Sequence, residues 1–148
     1  MIEQVRATGA SISLISDGDV AAIIRTTQAA RTGIDIYMSI GGAPEGVLAS
    51  SALRCLGGQM QGRLVFDSEE KIKRAKQMGV EDPHKVYTAE EMAKGEVLFV
   101  AAGVTDGDIV SGVKWRKNYI ETETLLLCSG SGTMRKIKTS HPYSGISK

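Results

Sequence analysis

The sequence predicts an α/β fold, a three-layer sandwich with a mixed, mainly parallel sheet and a C-terminal antiparallel hairpin. Three observations predict it. Alternating apolar segments run repeatedly through a glycine- or acid-bearing turn into a helical pattern, at Ser11–Ile15, Ile34–Ile40 and Gln59–Phe66. Successive strand-to-helix turns of this kind imply parallel strands joined by right-handed crossovers. The most apolar run, Val97–Ala102, is bounded by glycines and reads as a central buried strand. Beyond it two alternating segments flank a Gly-Ser-Gly turn, which reads as a hairpin.

Taken in order, Met1–Gly9 is the tail of an amphipathic helix stopped by Gly9. It lacks a capping residue, which suggests that another segment once preceded it. Strand Ser11–Ile15 enters Asp17-Gly18-Asp19, and a helix follows from Val20 to Ala30, with Gly33 as its stop. Strand Ile34–Ile40 leads into Ser-Ile-Gly-Gly-Ala-Pro-Glu-Gly (Ser39–Gly46), and a helix runs on to Leu56, closed by Gly57-Gly58. Pro44 suits the first turn of that helix, where a missing N–H costs nothing.

After strand Gln59–Phe66, Asp67 or Ser68 caps a charged helix reaching Met78, whose Lys71, Lys73, Arg74 and Lys76 form a solvated face. Asp82–Lys85 is a loop. Thr88 and Glu91 make a capping box for a short helix to Lys94. Val113–Lys117, Glu121–Cys128 and Thr133–Thr139 are strands, and the last residues are expected to fray.

Composition narrows the function. The chain of 148 residues suits one domain. Its 18 basic and 17 acidic residues nearly cancel, so the footprint of a duplex-binding protein is missing, and no basic-aromatic interleaving supports a single-strand platform. No partner nucleic acid and no membrane are expected. Cys55 and Cys128 have neither metal spacing nor a disulfide framework, which fits a reducing cytoplasm.

The glycine-acid turns carry the chemistry. Glu45 falls in a first helical turn at the C-terminal edge of a strand, where open α/β sheets bind ligands. Either the helix dipole alone favours it there, or it is a hard-cation ligand held where strand meets helix. Asp17-Gly18-Asp19 is open to the same pair of readings. An aspartate there can be an N-cap, or its carboxylate can accept from sugar hydroxyls while Gly18 bares backbone N–H groups. Gly103–Asp108 holds another Asp-Gly-Asp, either a plain turn or a further part of an active rim. Ser129–Thr133 lacks the Lys-Ser/Thr of a phosphate loop and reads as a β-turn. His84 and His141 have no metal-ligand spacing, and no serine stands in a nucleophile elbow. A Gly-x-Gly-x-x-Gly dinucleotide fingerprint is missing as well.

At Leu14–Ala22, Ile40–Leu48, Ala52–Gly58 and Ala101–Asp108 the chain resembles class II fructose-1,6-bisphosphatase, the bacterial type that in some phototrophs also accepts sedoheptulose 1,7-bisphosphate. The resemblance covers essentially the whole chain but only the C-terminal part of the family's length. It implies a magnesium- or manganese-dependent sugar-bisphosphate phosphatase serving gluconeogenesis, with metal-activated water attacking the 1-phosphate. It further implies Glu45 as a metal ligand and Gly42, Asp17, Gly18 and Asp19 as substrate contacts. The remaining metal carboxylates and the catalytic threonine belong to an N-terminal half, so no catalytic residue is expected in residues 1–148 and the chain alone is expected to be inactive. A truncated, non-catalytic sugar-phosphate-binding or oligomerising module is the alternative. A homo-oligomer is expected in either case, since a sheet face meant for an absent domain would be apolar and exposed.

Overall fold

In a computed structural model of the chain, residues 1–142 are described, and the expected fraying falls on residues 143–148, outside them. The longest helix, α4 (Ala43–Leu56), is the spine. Gly42 is its N-cap, a proline occupies its first turn, and Gly57 ends it in the left-handed conformation at φ 73°. The N–H groups of Gly57 and Gly58 both close on the Leu53 carbonyl. Its inward face carries Ala49, Ser50, Ala52, Leu53 and Cys55, all buried. Ser50 is tolerated there because its hydroxyl donates to the Gly46 carbonyl at 2.8 Å.

Two helices lie against α4. One is α2 (Asp19–Thr26), which contributes Ile23 and Ile24 to the core. It stops before the predicted Ala30. Thr26 and Thr27 donate their hydroxyls to the Ile23 and Ile24 carbonyls at 2.7 and 2.8 Å, and a separate turn, α3 (Ala29–Thr32), follows. The other is α6 (Ala89–Met92), whose capping box between Thr88 and Glu91 forms as the sequence predicts. The N-terminal α1 (Ile2–Ala7) and the charged α5 (Glu69–Gln77) bury no residue, and Ser68 caps α5 by accepting from the Lys71 N–H.

The larger sheet is built around β5 (Tyr119–Cys128). Along one side run β3 (Leu98–Ala102) and β4 (Lys114–Trp115), and along the other β6 (Thr133–Pro142). The β5–β6 hairpin is the predicted one. Two short strands, β1 (Gln61–Arg63) and β2 (Val86–Thr88), pair separately. Ile24, Ala52, Cys55, Phe99, Val110, Leu125 and Leu127 fill the space between the helices and one sheet face, and Ile23, Ala49 and Leu53 make an adjoining cluster with Tyr37 and Met60.

The α/β class holds, but the finer architecture differs from the expectation. Every ladder among the described residues is antiparallel, so the mainly parallel sheet is not formed. Ser11–Ile15 and Ile34–Ile40 join no ladder, and Ile40 is 81% exposed. Alternation decides which side chains share a face, and it does not supply a neighbouring strand to hydrogen-bond with. For the same reason Val97–Ala102 is not central. As β3 it flanks β5, buries Phe99 on one face and leaves Leu98 and Val100 on the other 69% and 59% exposed. Among the described residues α4 packs on the sheet through β3 and β5, and the second helical layer expected of a three-layer sandwich is not seen.

Candidate functional site

The site is built from the two turns that start α2 and α4. Gly18 is the N-cap of α2, in the left-handed conformation at φ 82°, ψ 37°, which a side chain would strain. No side chain caps this helix, so Asp17 is not spent as an N-cap; it stands exposed beside Gly18. Asp19 is the first residue of α2 and half-buried. Its Oδ1 accepts a hydrogen bond from the Tyr37 hydroxyl at 2.7 Å.

Its Oδ2 lies over the second turn, where a Cβ added to Gly41 would stand 3.0 Å away. The Glu45 carboxylate folds back onto Gly42, so closely that a Cβ there would overlap its Oε2. Gly42 has φ −70° and ψ 144°, a conformation open to any residue. At both positions a side chain would crowd a carboxylate, and neither position needs the backbone freedom of glycine. The first and second corners are therefore neighbours: Asp19, Gly41, Gly42 and Glu45 meet where the two helices begin.

Electrostatics at this corner show in Tyr37, whose pKa is raised chiefly by burial. The Asp19 hydrogen bond and charge push the same way, and Ser39 works against them. Glu45 is an exposed carboxylate in the first turn of α4, a hard oxygen donor at the positive end of the helix dipole. Among the described residues no group of three or more His, Cys, Asp or Glu gathers as a metal cluster.

The third acidic turn is used differently. Asp106 Oδ1 accepts from the Gly112 N–H at 2.9 Å and Oδ2 from the Lys114 ammonium, which holds the Asp106 carboxyl below its usual range. Asp108 pairs with Arg25 on α2 at 2.8 Å. Both carboxylates are engaged in fastening the loop. A cleft of about 340 Å³ lies between Ala21 and Gly103–Val110, and it takes in neither Gly42 nor Glu45. Ser129–Thr133 is a hairpin turn, as predicted. His141 lies within hydrogen-bond reach of the Thr122 hydroxyl, and the His84 N–H donates to Asp82.

Two residues escape the sequence reading. Tyr37 sits inside an alternating run, where a phenol is indistinguishable from any strand residue. Glu123 is 6% exposed, its Oε2 accepting from the Ser111 N–H at 2.6 Å, and hydrogen bonding by Ser111, through its side chain first and its backbone second, holds the Glu123 pKa at about 2. Its signal was present: it shares the parity of the buried Leu125 and Leu127, and a charge in that frame needs a buried partner.

Fold and corner together define a class: a mixed α/β chain with carboxylates and glycine backbone joined at two helix starts. The particular family follows from comparison. Residues 1–141 match the family of bacterial, glpX-encoded fructose-1,6-bisphosphatase, and the chain belongs to it. Among similar curated proteins are two named D-fructose 1,6-bisphosphatase class 2/sedoheptulose 1,7-bisphosphatase. The one from Trichodesmium erythraeum (strain IMS101) is 44% identical over 97% of this chain. The one from Synechococcus sp. (strain JA-3-3Ab) is 44% identical over 98% of it. The chain spans about 45% of the length of each.

Proposed function

We propose that this chain is the substrate-contacting part of a metal-dependent sugar-bisphosphate phosphatase, working on the 1-phosphate of fructose 1,6-bisphosphate and also on sedoheptulose 1,7-bisphosphate. The supporting observation is the meeting of Asp19 with Gly41 and of Glu45 with Gly42, in a chain of the bisphosphatase family. Asp17 and Asp19 accept hydrogen bonds from sugar hydroxyls. The bare backbone of Gly18 and Gly42 lets a phosphorylated ligand approach closely. Glu45 is the chain's single ligand to a divalent cation, Mn²⁺ or Mg²⁺, both of which favour carboxylate oxygen. When bound, such a cation polarises a phosphoryl group and lowers the pKa of water.

The remaining ligands and the catalytic residues belong, on this reading, to an N-terminal half corresponding to the length of the relatives that this chain does not span. Residues 1–148 form one C-terminal-type domain that completes the site only with that half, and the parallel pairing of Ser11–Ile15 and Ile34–Ile40 belongs to the completed protein. The role is in gluconeogenesis in the cytoplasm, which suits the two free cysteines. Among the described residues no helix is long and apolar enough to cross a membrane.

A phosphate-release assay with fructose 1,6-bisphosphate and Mn²⁺ tests the proposal. The chain alone should release no phosphate, the chain mixed with the N-terminal half of a relative should do so, and Glu45→Ala should remove that activity by at least ~100-fold, the scale of losing a charge-stabilising group. Full activity in Glu45→Ala removes Glu45 from the metal. Binding without turnover in the mixture favours a non-catalytic sugar-phosphate-binding module instead.

A further inference from the structure

Tyr37 has no part in the function proposed above, yet it joins the core to the candidate site. Its ring packs against the cluster of Ile23, Ala49 and Leu53, so its position is fixed by α2 and α4 together. Its hydroxyl reaches out of that cluster to Asp19 Oδ1 at 2.7 Å. The partner oxygen of the same carboxylate is the one that lies over Gly41. Asp19 has no capping duty in α2, whose N-cap is Gly18 without a side-chain bond. A carboxylate at a helix start would otherwise turn freely among its rotamers. Held by one oxygen, it can offer only the other.

We propose that Tyr37 is a positioning residue that fixes the Asp19 carboxylate against the Gly41 turn, so that the two corners present one acceptor site to a ligand hydroxyl. The inference rests on Asp19 being a ligand contact, as proposed above. Because Tyr37 donates its only hydroxyl proton to Oδ1, Oδ2 is left as an acceptor and the site favours a polyol donor over a second acceptor group. A phenol that merely satisfied itself at the edge of the core would leave ligand affinity unmoved, and that difference makes the role testable.

Tyr37→Phe keeps the ring in its cluster and removes the hydroxyl alone. Fructose 1,6-bisphosphate with Mn²⁺ is titrated calorimetrically into the wild-type chain, Tyr37→Phe, Asp19→Asn and the double variant, beside thermal melts. Tyr37→Phe should bind about tenfold more weakly, the scale of one charge-assisted hydrogen bond, and melt within about 2 °C of wild type. In the Asp19→Asn background the same change should cost no further affinity. A ligand-free readout accompanies these: in an NMR titration of ring-labelled tyrosine, Asp19→Asn should bring the raised Tyr37 ionisation down towards its ordinary range.

Unchanged affinity in Tyr37→Phe, with wild-type binding intact, overturns the positioning role and leaves the proposed function standing. A Tyr37 titration indifferent to Asp19→Asn overturns it whether or not sugar binds. A wild-type chain that binds no bisphosphate at millimolar ligand, either alone or mixed with the N-terminal half of a relative, overturns the proposed function, and the positioning role of Tyr37 falls with it.

Discussion

Gly42 separates stability from function at a single atom. A methyl group there would meet the far end of the Glu45 side chain, which can swing away into solvent, and the backbone angles suit alanine. Gly42→Ala should therefore leave the melting temperature within about 2 °C of wild type. It should still displace the carboxylate and abolish any Mn²⁺-dependent response, as calorimetry with the metal would show. Glu123 is the opposite case, a carboxylate that serves the fold. Its carboxylate accepts from the Ser111 N–H and its carbonyl from the Gly103 N–H, so it grips both ends of the Gly103–Ser111 loop. Its folded pKa, about 2, lies below the unfolded value of 4.5. The stability it contributes is thus fully present above about pH 4.5 and is lost as pH falls toward 2. Glu123→Gln should melt lower than wild type at pH 7, and the two curves should converge near pH 2, in a series of thermal melts across that range.

At the scale of elements, α4 determines how the site is held. Leu53 is 1% exposed and lies in the cluster that carries the Tyr37 ring. Leu53→Ala should cost about 3 kcal/mol by leaving a cavity, measurable by denaturant unfolding, and should loosen the Asp19 clamp as well. The helices were legible because their signals are local. Pro44 and Gly57 bracket α4, Ser68 starts α5, and Thr88 with Glu91 starts α6. Strands were legible only where a turn supplied the partner, as in the β5–β6 hairpin. Ile34–Ile40 has the alternation of a strand but no neighbour among the described residues, and β3 has the apolar content of a central strand but an edge position. Of the candidate site, the corners at Asp17–Asp19 and Glu45 stand out from glycine and acid spacing, and Gly42 follows from the family resemblance. Tyr37 does neither, because a hydrogen bond to a residue on another element leaves no local mark.

At the scale of the whole molecule, helices cover one face of the larger sheet, and among the described residues the other is open. Strand register places Leu98, Val100, Leu126, Cys128 and Ile137 on the open face, with Leu98, Val100 and Ile137 exposed. An apolar face of this kind favours association. The chain on its own should form dimers or larger species in sedimentation velocity, and Val100→Lys should shift it toward monomer without lowering its melting temperature by more than about 2 °C.

The sequence by itself determined the α/β class, the caps that start α4, α5 and α6, the terminal hairpin, the family and the stretches in which carboxylate and glycine stand together along the chain. Each of these is written in residues close to one another along the chain, where capping, turn geometry and periodicity act. Only the tertiary structure decided that Asp19 lies over Gly41, that Tyr37 holds it there, that Asp106 and Asp108 fasten a loop, and that β3 lies at an edge. Those outcomes depend on which distant surfaces pack together, and packing is settled by the whole set of buried contacts at once rather than by any one stretch of sequence.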